Sequence, residues 1–389
     1  MNIFRNRFVN IAILVLVALV LRFYFEEFLG EENATWIRVT SIIVILGVGA
    51  VFVLRGIANI IEETTEILSE RTKIASGLLQ SLGTAFPDMI LGIVAAIMSL
   101  RLVSSDYALA INFAIIAAAT TFGSNIYNIG HAAWCVFRQN ISNKKEKPVL
   151  MMPGIKGLGT VIPMKDHTTK PSLMEIDESV DILNVLTILT AVVAISMVVF
   201  GQVANPPENV SGDLYQLVKP AGFVILALCI LTMYIFRKTK RQHILVQEIA
   251  KEERYYAKKS TFAILFILAL SGAAILFAAE SMVSAVQVFC DITGMPFVIA
   301  GVLAGVIGCM GEMIVVHNFT INPKGRIGDA LVGVGMDNIV TTMGASIVAV
   351  MGGIFLGGNA LILIFVIILA LNTVLIWQIS KMKNYFLLH

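Results

Sequence analysis

The sequence predicts an all-α polytopic membrane protein with about ten transmembrane helices. Of its 389 residues, 57% are hydrophobic and only 14% are charged, whereas soluble domains carry roughly 25% charged residues. Apolar stretches of about 17–25 residues, long enough to cross a bilayer, recur along the whole chain. An acidic motif in the third stretch returns in the eighth with the opposite direction through the membrane, which predicts inverted repeats with helices interrupted at the midplane.

Ten spans follow one another along the chain. The first lies between Arg7 and Arg22; because Arg22 follows it directly and no small-x-small cleavage pattern is present, we interpret it as a retained helix and not as a signal peptide. The spans are predicted at about 8–25, 36–58, 74–100, 106–137, 179–201, 215–236, 260–280, 296–317, 327–353 and 356–380.

The basic residues predict the orientation of these spans. Alternating the loops from the N-terminus leaves Arg22, Arg38, Arg101 and Lys219 on one side and the other 24 of the 28 Lys and Arg residues on the opposite side. Because cytoplasmic loops are enriched in basic residues, both termini are expected to be cytoplasmic. The basic residues therefore indicate topology, and we expect a multi-pass protein of the cell membrane that binds no nucleic acid.

Five regions are expected from the order of the spans. The N-terminal helix and its outer loop precede two repeat cores, and a long linking region separates these cores. The regions are 1–35 (extra helix and outer loop), 36–137 (first repeat core), 138–259 (cytoplasmic loops and two linking helices), 260–353 (second repeat core) and 354–389 (final helix and cytoplasmic tail).

The first repeat contains an acid next to a proline inside an apolar run. Gly83–Asp88 reads Gly-Thr-Ala-Phe-Pro-Asp, and Pro87 has no N–H to donate to a helical carbonyl. An ionised carboxylate at membrane depth costs several kcal/mol, so its presence there favours a role in binding or moving charge. Glu312 takes the corresponding place in the second repeat when Asp88 is aligned with it without a gap.

Each repeat continues into a helix with a second polar cluster, Gly123–Asn128 in the first and Gly335–Ile339 in the second. If the repeats meet at midplane, carboxylates, hydroxyls and freed carbonyls converge into a set made of oxygen ligands only, which suits calcium. The pairing of Asp337 with Ser124 or with Asn125 is open by one residue. The candidate ligands are Asp88, Glu312, Asp337, Asn125, Thr84, Ser124, Asn338, Gly83 and Gly308.

Other polar or small residues are given structural roles. Gly301-x-x-x-Gly305 is typical of close helix packing, and Asp329 is expected near a helix end. His131 and His317 lie near predicted cytoplasmic ends and are taken as bystanders. The four cysteines show no paired spacing, which argues against a disulfide framework or a zinc site. No cofactor is expected, and the absence of His-Glu-x-x-His and Gly-x-Ser-x-Gly motifs argues against an enzyme.

At these residues the chain resembles the cation/calcium exchanger superfamily. The alpha-repeats of that family carry Gly-Thr-Ser-x-Pro-Glu on one helix and Gly-Ser-Asn-Ile-x-Asn on the next. Gly83–Asp88 and Gly123–Asn128 are similar to these motifs, whereas Ile307–Glu312 keeps the acid but has Gly308, Cys309 and Gly311 in place of Thr, Ser and Pro. The pattern is most similar to the branch of mitochondrial-type sodium/calcium exchangers and plant cation/calcium exchangers.

The resemblance implies a secondary antiporter that moves calcium in exchange for sodium by alternating access, at a site lined by Asp88, Asn125, Glu312 and Asp337. A calcium/proton exchanger is the alternative, because carboxylates can themselves carry protons. A hypothesis of another class is a non-transporting sensor or assembly protein on a degenerate exchanger scaffold. The expected partners are calcium, sodium or protons, and the lipid bilayer, while the oligomeric state is open.

Overall fold

Helices make up most of the computed structural model, which describes residues 7–72, 85–168, 170–208, 210, 212–237, 255–322 and 327–388. Within these ranges there are eleven α-helices. They are α1 (Arg7–Val20), α2 (Thr35–Val48), α3 (Arg55–Thr72), α4 (Phe86–Leu102), α5 (Tyr107–Lys145), α6 (Leu173–Phe200), α7 (Lys219–Arg237), α8 (Thr261–Thr293), α9 (Phe297–Ile321), α10 (Ile327–Met351) and α11 (Gly358–Leu388).

Short helical segments and four strands complete the described elements. Leu21–Phe25 continues α1 as a π-helix, Glu26–Leu29 follows as a 3₁₀ turn, and the π-helical Gly49–Leu54 joins α2 to α3. Further 3₁₀ turns lie at Met164–Asp166 and Tyr255–Lys258. The strands are β1 (Val149–Met152), β2 (Ile155–Val161), β3 (Leu214–Gln216) and β4 (Phe355–Gly357).

The helices confirm the predicted class of polytopic membrane protein. In the described part of the chain, eight helices are long and apolar enough to cross a membrane, or nine when the bent α9 is counted as one span. The apolar part of α4, Met89–Leu102, is shorter, and the beginning of its predicted span falls in residues 73–84, outside the described residues. About ten spans is consistent with this arrangement.

Local sequence signals determine where several helices begin and end. Asp106 caps α5, because its Oδ1 accepts the Leu109 N–H at 2.9 Å. Ser172 and Glu175 form a reciprocal capping box at the start of α6. Ser260 caps α8, which ends at Gly294 in the left-handed conformation that glycine adopts without strain.

Four helices, two from each predicted repeat, form the centre of the molecule. Helices α4, α5, α9 and α10 contact one another in every pairwise combination, and we call them the four-helix core. In the most apolar windows of α5 and α10, 83% and 78% of the residues are buried, compared with 22–39% in the other unbroken spans. The two helices with the second polar clusters are therefore the most enclosed.

Helices of opposite repeats pack in parallel, with glycines at the closest approaches. A Cβ on Gly301 would lie 2.7 Å from the Ala119 Cβ, and one on Gly305 would lie 2.7 Å from the Ser124 nitrogen. On the other side of the four-helix core, Gly344 packs against Met89 and Gly353 against Ala96. Close packing at Gly301 and Gly305 agrees with the sequence prediction.

A β-hairpin caps one end of the four-helix core. Strands β1 and β2 pair antiparallel, and α5 holds them through Trp134 Nε1, which donates to the Met151 carbonyl at 3.1 Å, and Ser142 Oγ, which donates to the Val161 carbonyl at 3.1 Å. We call this end the hairpin side. Beyond the hairpin, burial lowers the pKa of His167 below its ordinary value. At the opposite end, β3 pairs antiparallel with β4.

The N-terminal helix is fastened to α8 by charge. On its π-helical continuation, Arg22 Nε lies 3.0 Å from Glu280 Oε2, and Arg101 of α4 lies 3.5 Å from the other oxygen of the same carboxylate. Ser284 Oγ also donates to Glu26 Oε1 at 3.1 Å. The extra N-terminal helix is therefore part of the packed structure.

Candidate cation site

Helix α9 bends at its acidic residue although it has no proline there. The segments Phe297–Met310 and Glu312–Ile321 meet at 54°. Sharp bends of this size arise where glycine or an inserted group weakens the helical ladder; Gly311 lies at the bend and Gly308 one turn before Glu312. The second repeat therefore interrupts its helix at Glu312, as the midplane prediction requires.

In the first repeat the corresponding break is the start of a helix. Helix α4 begins at Phe86 with Pro87 in its first turn and Ala85 as its N-cap. In this position the missing proline N–H removes no intrahelical hydrogen bond. Asp88 is the third residue of α4, where the backbone N–H groups of a helix start favour negative charge. Gly83 and Thr84 lie outside the described residues.

The polar cluster of α5 faces the core. Ser124, Asn125 and Asn128 are all buried, and the Ser124 hydroxyl donates to the Thr121 carbonyl at 2.8 Å. The amide oxygens of Asn125 and Asn128 are also buried, and neither receives a hydrogen bond from any described residue. Two acceptors without donors make this stretch of α5 suited to a cation.

The acids of the second repeat are buried in the same four-helix core. Glu312 is 4% exposed and Asp337 is 7% exposed. Two contacts fix how α9 lies along α5: Gly305 is against Ser124, and His317 stacks on His131. Glu312 comes between Gly305 and His317 on α9. It therefore lies alongside the α5 segment that contains Asn125 and Asn128. Gly308 is buried one turn before Glu312.

On α10, the two polar residues of the cluster differ in what their side chains do. The Asn338 amide nitrogen donates to the Val334 carbonyl of its own helix at 2.7 Å, which leaves only its oxygen to act as a ligand. The Thr341 hydroxyl donates a hydrogen bond to the backbone carbonyl of Asp337 at 2.9 Å, and the Thr342 hydroxyl donates to the backbone carbonyl of Asn338 at 2.8 Å. These threonine hydroxyls are occupied by their own backbone, as is common in membrane helices.

The candidate site is rich in hydrogen-bond acceptors. Buried carboxylate and amide oxygens of Glu312, Asn125 and Asn128 lie along the α5–α9 contact, whereas the basic side chains of Arg22 and Arg101 bind Glu280 of α8. Oxygen acceptors with surplus negative charge fit a hard divalent cation. They also fit protons, because a carboxylate can bind one.

The sequence interpretation missed two features. Asn128 was noted in the motif but was not among the candidate ligands, although it has the same buried, unpartnered oxygen as Asn125. The structure also brings His131, Cys135 and His317 together, with one ligand atom from each lying within 4.8 Å of the others. The i, i+4 spacing of His131 and Cys135 was visible in the sequence, but their approach to His317 depends on the packing of α5 against α9.

Two solved structures have a similar fold. The H+/Ca2+ exchanger CAX superposes with a TM-score of 0.55 at 12% sequence identity, covering 97% of this chain and 96% of that chain. Native YfkE superposes with a TM-score of 0.51 at 13% identity, covering 98% of this chain and 99% of that chain. At these identities the likeness shows the fold alone, and it extends over nearly the whole chain.

No family model and no curated protein sequence matches the chain. The structural likeness is consequently the observation that links the sequence motifs to a known architecture.

Proposed function

We propose that this chain is a secondary antiporter that moves calcium across a membrane in exchange for another cation. One observation carries the proposal: the fold of an H+/Ca2+ exchanger here encloses the unpartnered oxygens of Asn125 and Asn128 on the α5 segment alongside buried Glu312. A cation would satisfy acceptors that the described residues leave without donors. A cation bound by ligands from both repeats would lie where α9 is bent.

The coupling ion is a separate question, for which the resemblance to sodium/calcium exchangers predicted sodium. Two features favour protons. Gly308 and Cys309 stand where the alpha-repeat motif has hydroxyl residues that could bind a monovalent ion, and the carboxylates of Glu312 and Asp337 can themselves take up and release protons. The structurally similar exchanger CAX is itself an H+/Ca2+ exchanger. We therefore propose protons as the counter-ion, with sodium as the second candidate.

In this proposal each carboxylate has a defined role. Glu312 and Asp88 bind calcium from opposite repeats, Asp337 adds charge from α10, and the amides of Asn125 and Asn128 add neutral oxygen ligands. Replacing Glu312 by Gln keeps its size but removes its charge. We expect Glu312→Gln to weaken calcium binding at least about tenfold, which corresponds to about 1.4 kcal/mol.

The experiment combines binding with flux. Calcium binding to the purified protein is measured by titration calorimetry for the wild type, Glu312→Gln and Asp88→Asn. Asp291→Asn is the matched control, because Asp291 lies in an apolar helix outside the four-helix core and accepts a hydrogen bond from Gln287 at 2.7 Å. We expect both site variants to lose affinity and the control to keep it.

Flux in proteoliposomes then separates the counter-ions. Calcium uptake driven by a pH gradient in sodium-free buffer is expected, whereas uptake that requires a sodium gradient at equal pH on both sides would select sodium. A wild type that binds calcium no better than Glu312→Gln and moves none under either gradient would instead favour the non-transporting scaffold.

A further inference from the structure

A cluster of nitrogen and sulfur ligands lies on the hairpin side, separate from the oxygen ligands of the candidate cation site. His131 Nε2 lies 3.6 Å from Cys135 Sγ on the same face of α5. The His317 ring of α9 stacks on the His131 ring with centroids 5.6 Å apart and an angle of 12°. Among the described residues, these three form the group of His, Cys, Asp and Glu side chains whose ligand atoms approach closely enough to share a metal ion.

The spacing of the two α5 ligands fits a shared tetrahedral metal ion. Zinc binds a cysteine sulfur at about 2.3 Å and a histidine nitrogen at about 2.0–2.1 Å. At a tetrahedral angle these bond lengths place the two ligand atoms about 3.6 Å apart, which is the distance between Cys135 Sγ and His131 Nε2. A ring nitrogen of His317 lies within 4.8 Å of both atoms.

His317 also has the outer contact that metal ligands use. A ligating histidine donates its second ring N–H to a carbonyl or carboxylate, which fixes the tautomer. The Leu158 carbonyl lies 2.8 Å from His317 Nε2 and accepts its N–H. With this N–H occupied, His317 Nδ1 has a lone pair available for a metal, and His131 presents its Nε2 to Cys135.

We propose that His131, Cys135 and His317 bind a zinc-class transition-metal ion, with a fourth position open to water or another ligand. Thiolate and imidazole ligands select such ions, whereas calcium prefers oxygen. The bound ion would join α5 to α9 and, through the Leu158 carbonyl, to the β-hairpin. The cysteine thiol releases its proton when it binds the metal, so binding would strengthen as the pH rises.

Cobalt and zinc titrations of the full-length purified protein test this site. Co²⁺ bound through a thiolate gives a ligand-to-metal absorption band, and competition with a chromophoric zinc chelator gives the affinity and the stoichiometry. We expect one ion per chain for the wild type. Cys135→Ser and His317→Gln should each weaken binding at least about tenfold, by the loss of one of three ligands.

Controls separate ligand loss from general damage. Cys290→Ser removes another buried thiol and His167→Gln removes another histidine near the hairpin, so both should keep the wild-type affinity and absorption band. Because His317 is partly exposed, His317→Gln should disturb the packing less than Cys135→Ser does. If Cys135→Ser does not give a monodisperse protein, the result for His317→Gln decides the test. Zinc binding that survives His317→Gln undiminished, or a folded wild type that shows no cobalt band, would overturn the proposal.

Discussion

At the scale of single residues, Asn128 illustrates how a buried acceptor can serve a function at the expense of stability. Its amide oxygen is enclosed by protein and receives no hydrogen bond from the described residues. A buried polar group left in this state destabilises a fold by about 1–3 kcal/mol. A bound cation would offset that cost in the loaded state, which is the physical basis of its proposed role.

Replacing Asn128 by Leu separates the two effects. The variant removes a proposed calcium ligand, so calcium affinity should fall at least about tenfold in a binding titration. It also removes an unsatisfied oxygen, so the free energy of unfolding of the calcium-free protein should stay constant or rise.

The matched control for this prediction is Asn372→Leu. Asn372 of α11 is also fully buried, and neither of its amide atoms has a hydrogen-bond partner among the described residues. It lies outside the four-helix core, so this variant should show the same effect on stability with normal calcium affinity. Equal calcium affinities in Asn128→Leu and the wild type would contradict the assignment.

The sequence was informative about individual residues only where chemistry is local. The burial of Asn125, Glu312 and Asp337 could be predicted, because each is a polar residue within an apolar span. The approach of His131, Cys135 and His317 could not be predicted in this way. Two of these residues are a helical turn apart, but the third is 182 positions beyond Cys135. Their meeting depends on the register of two distant helices.

At the scale of elements, glycines decide how closely α5 and α9 approach. A Cβ at Gly305 would lie 2.7 Å from both the Ser124 nitrogen and the Thr120 carbonyl oxygen. Because both contacts are backbone atoms, the helices would have to move apart. We expect Gly305→Ala to lower the free energy of unfolding by about 1–3 kcal/mol, as overpacking does in well-packed interiors.

Unfolding of Gly305→Ala in detergent micelles measures this effect, and Gly272→Ala is the control. Gly272 lies within α8 with no atom within 4 Å of a Cβ placed on it. Alanine there should be neutral or should stabilise the helix by about 0.5–1 kcal/mol. Equal effects of the two substitutions would show that the α5–α9 contact can accommodate a methyl group.

Element type was predictable from apolar length, whereas element ends and irregular segments were not. Helix α8 was expected to end near residue 280 but continues to Thr293, because Glu280 is neutralised by Arg22 and Arg101 and so does not terminate the span. The β-hairpin was expected only as part of a cytoplasmic loop. Its strands are held by hydrogen bonds to α5 side chains, which no local pattern in residues 149–161 indicates.

At the scale of the whole molecule, the ion pair between Arg22 and Glu280 helps to hold the N-terminal helix against α8. Arg22→Leu would leave Glu280 with Arg101, whose nearest nitrogen is 3.5 Å away. Because a hydrogen bond to a charged group contributes about 1.5–3 kcal/mol, the variant should unfold more easily by an amount in this range.

A double-mutant cycle tests that pairing. Once Glu280→Gln has removed the charge, adding Arg22→Leu should destabilise the protein much less than Arg22→Leu does alone. Fully additive costs, measured by unfolding in micelles, would show that Arg22 contributes through packing and not through its contact with Glu280.

The overall architecture was largely predictable because repeated apolar spans and two acidic motifs determine it. The bend at Glu312 also followed from the comparison of the repeats, although Gly311 replaces the proline of the first repeat. The cytoplasmic location of the termini and the five regional boundaries remain predictions. They depend on loop charge and span order, and the packing of helices does not test either of them.

The docking of the hairpin has a mechanical consequence. Its strands are tied to α5 by Trp134 and Ser142 and to α9 by His317, so the hairpin acts as a brace across the two helices. A motion that leaves this brace intact must carry α5 and α9 together as one rigid body. The sliding surfaces of any transport cycle would then lie between this body and the helices around it.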